Sequence, residues 1–142
     1  MRTLLLAFGL LAAATQAAEP LAIDVYRDPA CGCCKAWMGH LETQGFKVMD
    51  HPESDMPALK TRLGVPPRLG SCHTAVIDGK FVEGHVPAAE ILALRRQPDL
   101  LGIAVPGMPA GAPGMDAGDY KVPYQVLGVG RDGSERVLAD YP

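Results

Sequence analysis

Apolar and polar residues alternate through LAIDVY at positions 21–26, the two-residue period of a half-buried strand. The pattern then lengthens. In CKAWMGHLETQG, 34–45, Cys34, Trp37, Met38 and Leu41 fall on one helical face, and Gly45 supplies a C-terminal stop. FKVMDH returns to strand character. Ser54 or Asp55 can cap a short helix that runs to Leu63 with Met56, Leu59 and Leu63 inward. HTAVIDGKFVEG, 73–84, reads as a hairpin turning at Asp78 and Gly79, and Pro87 opens the helix PAAEILALRRQ. The predicted order is βαβαββα. Beyond it, AVPGMPAGAPGMDAGDY, 104–120, is rich in Pro, Gly and Met and reads as an irregular loop. VPYQVLGV and ERVLADY, around an Arg-Asp-Gly-Ser turn, form a C-terminal hairpin placed to extend the sheet or brace that loop.

The N-terminus breaks these periodicities. Residues 1–17 combine Arg2, an apolar run from Leu4 to Ala14 and small residues up to the expected cleavage after Ala17 or Ala18, the layout of a signal peptide. The run is shorter than the roughly 20 residues of a bilayer span, and no Cys follows it for lipid attachment. Residues 18–142 are then expected as a single exported domain without stable membrane insertion, and the Leu- and Ala-rich signal suggests a bacterial periplasm, where disulfides are permitted. Loss of Arg2 turns 13 basic and 16 acidic residues into 12 against 16. Without a basic stripe or an aromatic series, nucleic acid is excluded as a partner. Repeats of solenoid period and heptads are absent as well.

The candidate chemistry lies in DPACGCCKAWMGH, 28–40, where Cys31, Cys33 and Cys34, three of four cysteines, crowd a strand-to-helix junction. Unpaired N–H groups and the helix dipole favour thiolate at such a place. Three uses are open. Structural disulfides, for example Cys31–Cys34 with Cys33–Cys72, would close little chain entropy. A redox pair of Cys31 and Cys34 would make a thiol-disulfide oxidoreductase, with Cys33 and Cys72 idle. Convergence of Cys31, Cys33, Cys34 and Cys72 on a soft metal ion uses every sulfur, and thiolates select Cu(I). Zinc tetrathiolates usually pair two separated Cys-x-x-Cys knuckles instead.

Other donors surround this set. His73 adjoins Cys72, and His85 ends the hairpin where the chain can return to the same corner, so either can be a ligand or orient one. Met108 and Met115 sit in the irregular loop, either as thioethers closing over the cysteines or as adaptable packing. Trp37, Met38 and Met56 are expected in the core, His40 and His51 at the surface.

The element order over residues 21–96, with cysteines at the first strand-to-helix junction, resembles a thioredoxin-like fold, in which Ser71 or Cys72 stands where a cis-proline usually lies beside the active cysteines. The segments DPACGCCKAWMGHL, GVPPRLGSCHTAVIDGKFVEGHVPA and GIAVPGMPAGAPGM together resemble an exported metal-binding family of unknown function that includes the CopG-type copper-resistance proteins. The resemblance spans the whole mature chain. It implies a thioredoxin-like domain handling copper in the periplasm, alongside other copper-handling proteins there, with Cys31, Cys33, Cys34 and Cys72 at the matching cysteine positions.

Overall fold

The computed structural model of the protein describes residues 19–142; the expected signal peptide lies outside the described residues. The chain forms β1 (Leu21–Arg27), α1 (Gly32–Thr43), β2 (Phe46–Pro52), α2 (Met56–Leu63), a 3-10 turn (Pro67–Leu69), β3 (His73–Ile77), β4 (Lys80–Glu83), α3 (Ala88–Leu94), β5 (Leu100–Ala104), β6 (Tyr124–Gly130) and β7 (Glu135–Tyr141). The strands make one mixed seven-stranded sheet in the order β2-β1-β3-β4-β5-β6-β7.

Local chemistry explains most boundaries. Cys31 occupies the N-cap of α1, so the helix takes in Cys33 and Cys34 in its first turn. Asp55 caps α2 by accepting the Ala58 N–H at 3.0 Å, and Gly64 ends that helix in the left-handed region. Asp78 and Gly79 both have positive φ, which gives the tight turn between β3 and β4. The third helix starts one residue later than expected and ends at Leu94, where the Lys80 ammonium meets the carbonyls of Leu94 and Gln97.

Strand β5 differs from expectation, since Leu100–Ala104 carries no alternating pattern. It lies inside the sheet, parallel to β4 and antiparallel to β6. Leu100, Ile103 and Ala104 are fully buried, so both faces are apolar and period-two patterning disappears. Gly102 is required there: a Cβ would come within 2.4 Å of the Phe81 ring.

Two apolar clusters flank the sheet. Ile23, Val25, Trp37, Leu41, Ile91 and Ile103 belong to the larger, which α1 and α3 cover; Val65, Leu69, Phe81 and Val129 form the smaller, against which Leu63 packs. Met38 and Met56 are buried as expected. Among the described residues no helix is long and apolar enough to cross a membrane.

Candidate metal centre

Two chain segments converge at the C-terminal end of β1. Arg27, nearly buried, binds both Asp50 carboxylate oxygens (2.9 and 2.7 Å) and donates to the Asp28 and Pro29 carbonyls at 3.1 Å. The Asp28 carboxylate accepts the Ala30 N–H at 2.8 Å, and the Asp28 carbonyl accepts the Cys31 N–H at 3.1 Å. This clamp fixes the turn that delivers the cysteines into α1. The second segment arrives because β3 pairs antiparallel with β1, Arg27 opposite His73, which sets Cys72 beside the helix start.

The ligating atoms of Cys31, Cys33, Cys34 and Cys72 all lie within 4.8 Å of one another. Cys31 and Cys34 are joined as a disulfide, and Cys33 and Cys72 are free thiols. The Cys33 Sγ lies 3.5 Å from that of Cys31 and 3.6 Å from that of Cys72. Cys72 also meets His73 Nδ1 and His85 Nε2, each at 3.4 Å. A second donor group, Cys72, His73 and His85, thus overlaps the first at Cys72.

Burial sets the charge states. It pushes the Cys72 thiol up to about 11, with the adjacent Cys33 adding to the rise, so that without a cation this sulfur keeps its proton. His73 is fully buried against the Trp37 ring (centroids 4.3 Å apart), and desolvation, then the His85 charge, lowers it to about 3. Burial lowers His85 too, against an opposing hydrogen bond to the Pro113 carbonyl. Both imidazoles are neutral near pH 7 and have a lone pair to offer. For His85 the tautomer follows from its surroundings: Nδ1–H donates to Pro113 at 2.7 Å, which leaves the Nε2 lone pair facing Cys72. The buried Nε2 of His73 has no hydrogen-bond partner.

The Met-rich loop crosses this corner as a strap. The Val105 N–H donates to the Glu83 carbonyl, the Ser71 hydroxyl donates to the Gly107 carbonyl at 2.6 Å, and Pro113 holds His85. Gly114 runs so close to α1 that a Cβ would sit 2.6 Å from the Trp37 backbone nitrogen. Met115 is half-buried next to that contact, whereas Met108 is 55% exposed and lines a cavity with Tyr120, Tyr124 and Tyr141 that no cysteine borders. His51 is half-buried and pairs with Asp24; His40 is half-buried too, accepting the Ala88 N–H.

Sequence reasoning missed the polar group beneath Cys72. Glu83, fully buried, accepts the Ser71 N–H at 2.6 Å and the Thr74 hydroxyl at 2.5 Å, and pairs with the Lys60 ammonium. Its one signal was a carboxylate directly after the apolar pair Phe81 and Val82 at the end of β4. The Pro113 carbonyl, a backbone group, had none.

A family model described as a protein of unknown function, DUF411, matches residues 69–115, the stretch holding Cys72, His73, His85 and the strap. Two solved structures described as copper resistance protein CopG, form 2 and form 1, are each 67% identical to the chain. Each covers 87% of it; the chain covers 100% and 99% of them, with TM-scores of 0.86 and 0.85. No curated protein matches the chain.

Proposed function

Since the chain belongs to the DUF411 family of CopG-type copper-resistance proteins, we propose that it holds Cu(I) as cargo through Cys31, Cys33, Cys34 and Cys72 in the bacterial periplasm. The single observation that carries this reading is the convergence of four sulfurs within 4.8 Å, from two segments 38 residues apart at their closest (72 − 34). Thiolates select Cu(I), and sulfurs this close can be shared between ions. Each thiol gives up its proton on binding, so copper takes the place of the protons that burial otherwise retains. His73 and His85 add neutral nitrogen donors at the buried side. Export rests on the N-terminal apolar run. The thioredoxin-like assignment draws support from the strand order β2-β1-β3-β4 with cysteines at the start of α1. Sequestration, transfer to other periplasmic copper proteins, and copper redox conversion are all compatible with such a centre.

Competition against chelators, with anaerobically reduced protein, tests the reading. Cu(I) should be held far more tightly than Zn(II); equal or better retention of zinc would make the centre a structural tetrathiolate.

The strap gives a second expectation. Met108→Leu with Met115→Leu preserves bulk and removes both thioethers, a change that costs under about 1.5 kcal/mol in packing. As thioether donors for copper in passage, the methionines should make the double variant release Cu(I) to a chelator at an altered rate with its thermal midpoint nearly unchanged. Parent-like release would leave the cysteines and histidines to act alone.

A specific observation favours one further reading. Cys31 and Cys34 are joined as a disulfide at the start of α1, the pair a thiol-disulfide oxidoreductase would use, with Cys33 and Cys72 idle.

A further inference from the structure

We propose that Cys33 is the mobile link of a disulfide relay inside the chain: it attacks the Cys31–Cys34 bond and hands it on to Cys72, so that the oxidised protein interconverts between a Cys31–Cys34 and a Cys33–Cys72 bridge. The inference goes beyond the copper reading, and no metal takes part in it.

Contact supports it first. A thiol exchanges with a disulfide by attacking one of its sulfurs, which it must be able to touch. Cys33 Sγ touches both ends of the route, 3.5 Å from the bonded Cys31 Sγ and 3.6 Å from the free Cys72 Sγ. Cys31 and Cys33 belong to the start of α1, whereas Cys72 immediately precedes β3, so the route leads from one helical turn to a second piece of chain.

The exchange balances in two steps. In the first, the Cys33 sulfur bonds to Cys31, the Cys31–Cys34 bond breaks, and its electron pair leaves on Cys34, which takes up the proton Cys33 gives away. A bridge between residues two apart closes a small, strained ring and is therefore open to attack. In the second, Cys72 bonds to Cys33, the Cys31–Cys33 bond breaks, and the electron pair leaves on Cys31. Cys72 passes its proton to His85 Nε2 as it attacks, and the proton returns to the departing Cys31 thiolate. One disulfide and two thiols stand at the start and at the end, so neither oxidant nor reductant is consumed.

The surroundings fit these roles. Cys31 Sγ accepts the Cys34 N–H at 3.3 Å, a bond that strengthens when Cys31 carries the charge. The His85 Nε2 lone pair lies 3.4 Å from Cys72 Sγ, and the Pro113 carbonyl, 2.7 Å from Nδ1, holds the ring in place to act as base. His73 completes the site in this form of the chain. A proton on its Nδ1 leaves only a lone pair at the buried, unpartnered Nε2, whereas the other tautomer would strand an N–H there. Nδ1–H therefore donates to Cys72 Sγ, 3.4 Å away, and supports it as it gives up its proton.

The relay changes which sulfurs an outside thiol can meet. Cys34 is fully buried, while Cys33 and Cys72 are both half-buried. Handing the bond on moves it from a pair with a shielded member to a pair approachable at both sulfurs.

The test uses the whole chain, metal-free and with chelator present, in its Cys31–Cys34 form isolated in acid, where exchange is arrested. The protein is moved to mildly alkaline buffer and quenched in acid at intervals, and its disulfides are mapped on peptic peptides. The Cys33–Cys72 bridge should appear at a rate independent of protein concentration, with the number of free thiols unchanged. Cys33→Ser removes the link, so Cys31–Cys34 should persist with no bridge to Cys72 over the time in which the parent reaches its final ratio. His85→Gln should slow the parent's exchange at least about tenfold, at or below the usual contribution of a general base. Because His85 is buried, the Cys33→Ser result decides the matter if that variant misfolds. A parent that keeps Cys31–Cys34 alone, a rate that rises with protein concentration, or a bridge to Cys72 formed at the parental rate in Cys33→Ser would overturn the proposal. With metal excluded throughout, each of these outcomes leaves the copper reading to be judged by the chelator competition for Cu(I).

Discussion

Removing Cys33 and Cys72 together, as Cys33→Ser and Cys72→Ser, is expected to lower the Cu(I) affinity of the reduced protein by at least about a hundredfold, since loss of groups that merely support a ligand already costs 10–100-fold. The two sulfurs left, Cys31 and Cys34, belong to one helical turn and have no partner from β3. Cys33 and Cys72 are only half-buried, so serine, one atom different, leaves the fold in place. The same variant separates binding from exchange. Cys31 and Cys34 already pair without help, and a thiol-disulfide exchange needs no third sulfur. A chain whose activity were exchange would therefore keep reducing disulfide substrates after losing copper. Chelator competition and a disulfide-reduction assay on one preparation read both. Retained tight copper binding would end the four-sulfur model, and loss of copper with full exchange would make the oxidoreductase reading the primary one.

How much of this was legible in the sequence differs by element, for physical reasons. Strand β1 and the β3–β4 hairpin were readable because the first is buried on one face and the second turns at an Asp-Gly pair that tolerates positive φ. The C-terminal hairpin was readable for the same reason at Asp132-Gly133, and it extends the sheet as its edge. Strand β5 was hidden, because a strand buried on both faces loses the alternation that identifies strands. At the centre, Cys31, Cys33 and Cys34 announced themselves by spacing. Cys72 followed once β3 was placed against β1, and His73 and His85 came with that hairpin. What stayed hidden depends on distant chain meeting: the Pro113 carbonyl that sets the His85 tautomer, and a lysine on α2 that reaches a carboxylate on β4. The methionines divide. The strap lies across the corner through its backbone, yet Met108 turns outward into a tyrosine-lined cavity.

That lysine and carboxylate carry the largest expected effect on stability. Glu83 is inaccessible to solvent and Lys60 is half-buried, and Thr74 closes the group by accepting from Lys60 at 2.9 Å while donating to Glu83. Glu83→Gln keeps the shape and removes the charge, which leaves the Lys60 ammonium without its counter-ion. Breaking a buried pair from one side costs about 3–5 kcal/mol, a fall in thermal midpoint of roughly 10–20 °C for a chain of this size. Lys60→Met introduced with it removes the orphaned charge and should recover most of the loss, so a double-mutant cycle followed by thermal melting isolates the pair itself. The consequence reaches the metal centre through Ser71, the residue before Cys72, whose N–H the carboxylate holds and whose hydroxyl tethers the strap at Gly107. At a temperature where parent and variant are both folded, Glu83→Gln should therefore release Cu(I) to a chelator faster than the parent. A melting midpoint equal to that of the parent would show that the ion pair contributes nothing, and unchanged copper release from a destabilised variant would show that Cys72 is held by β3 alone.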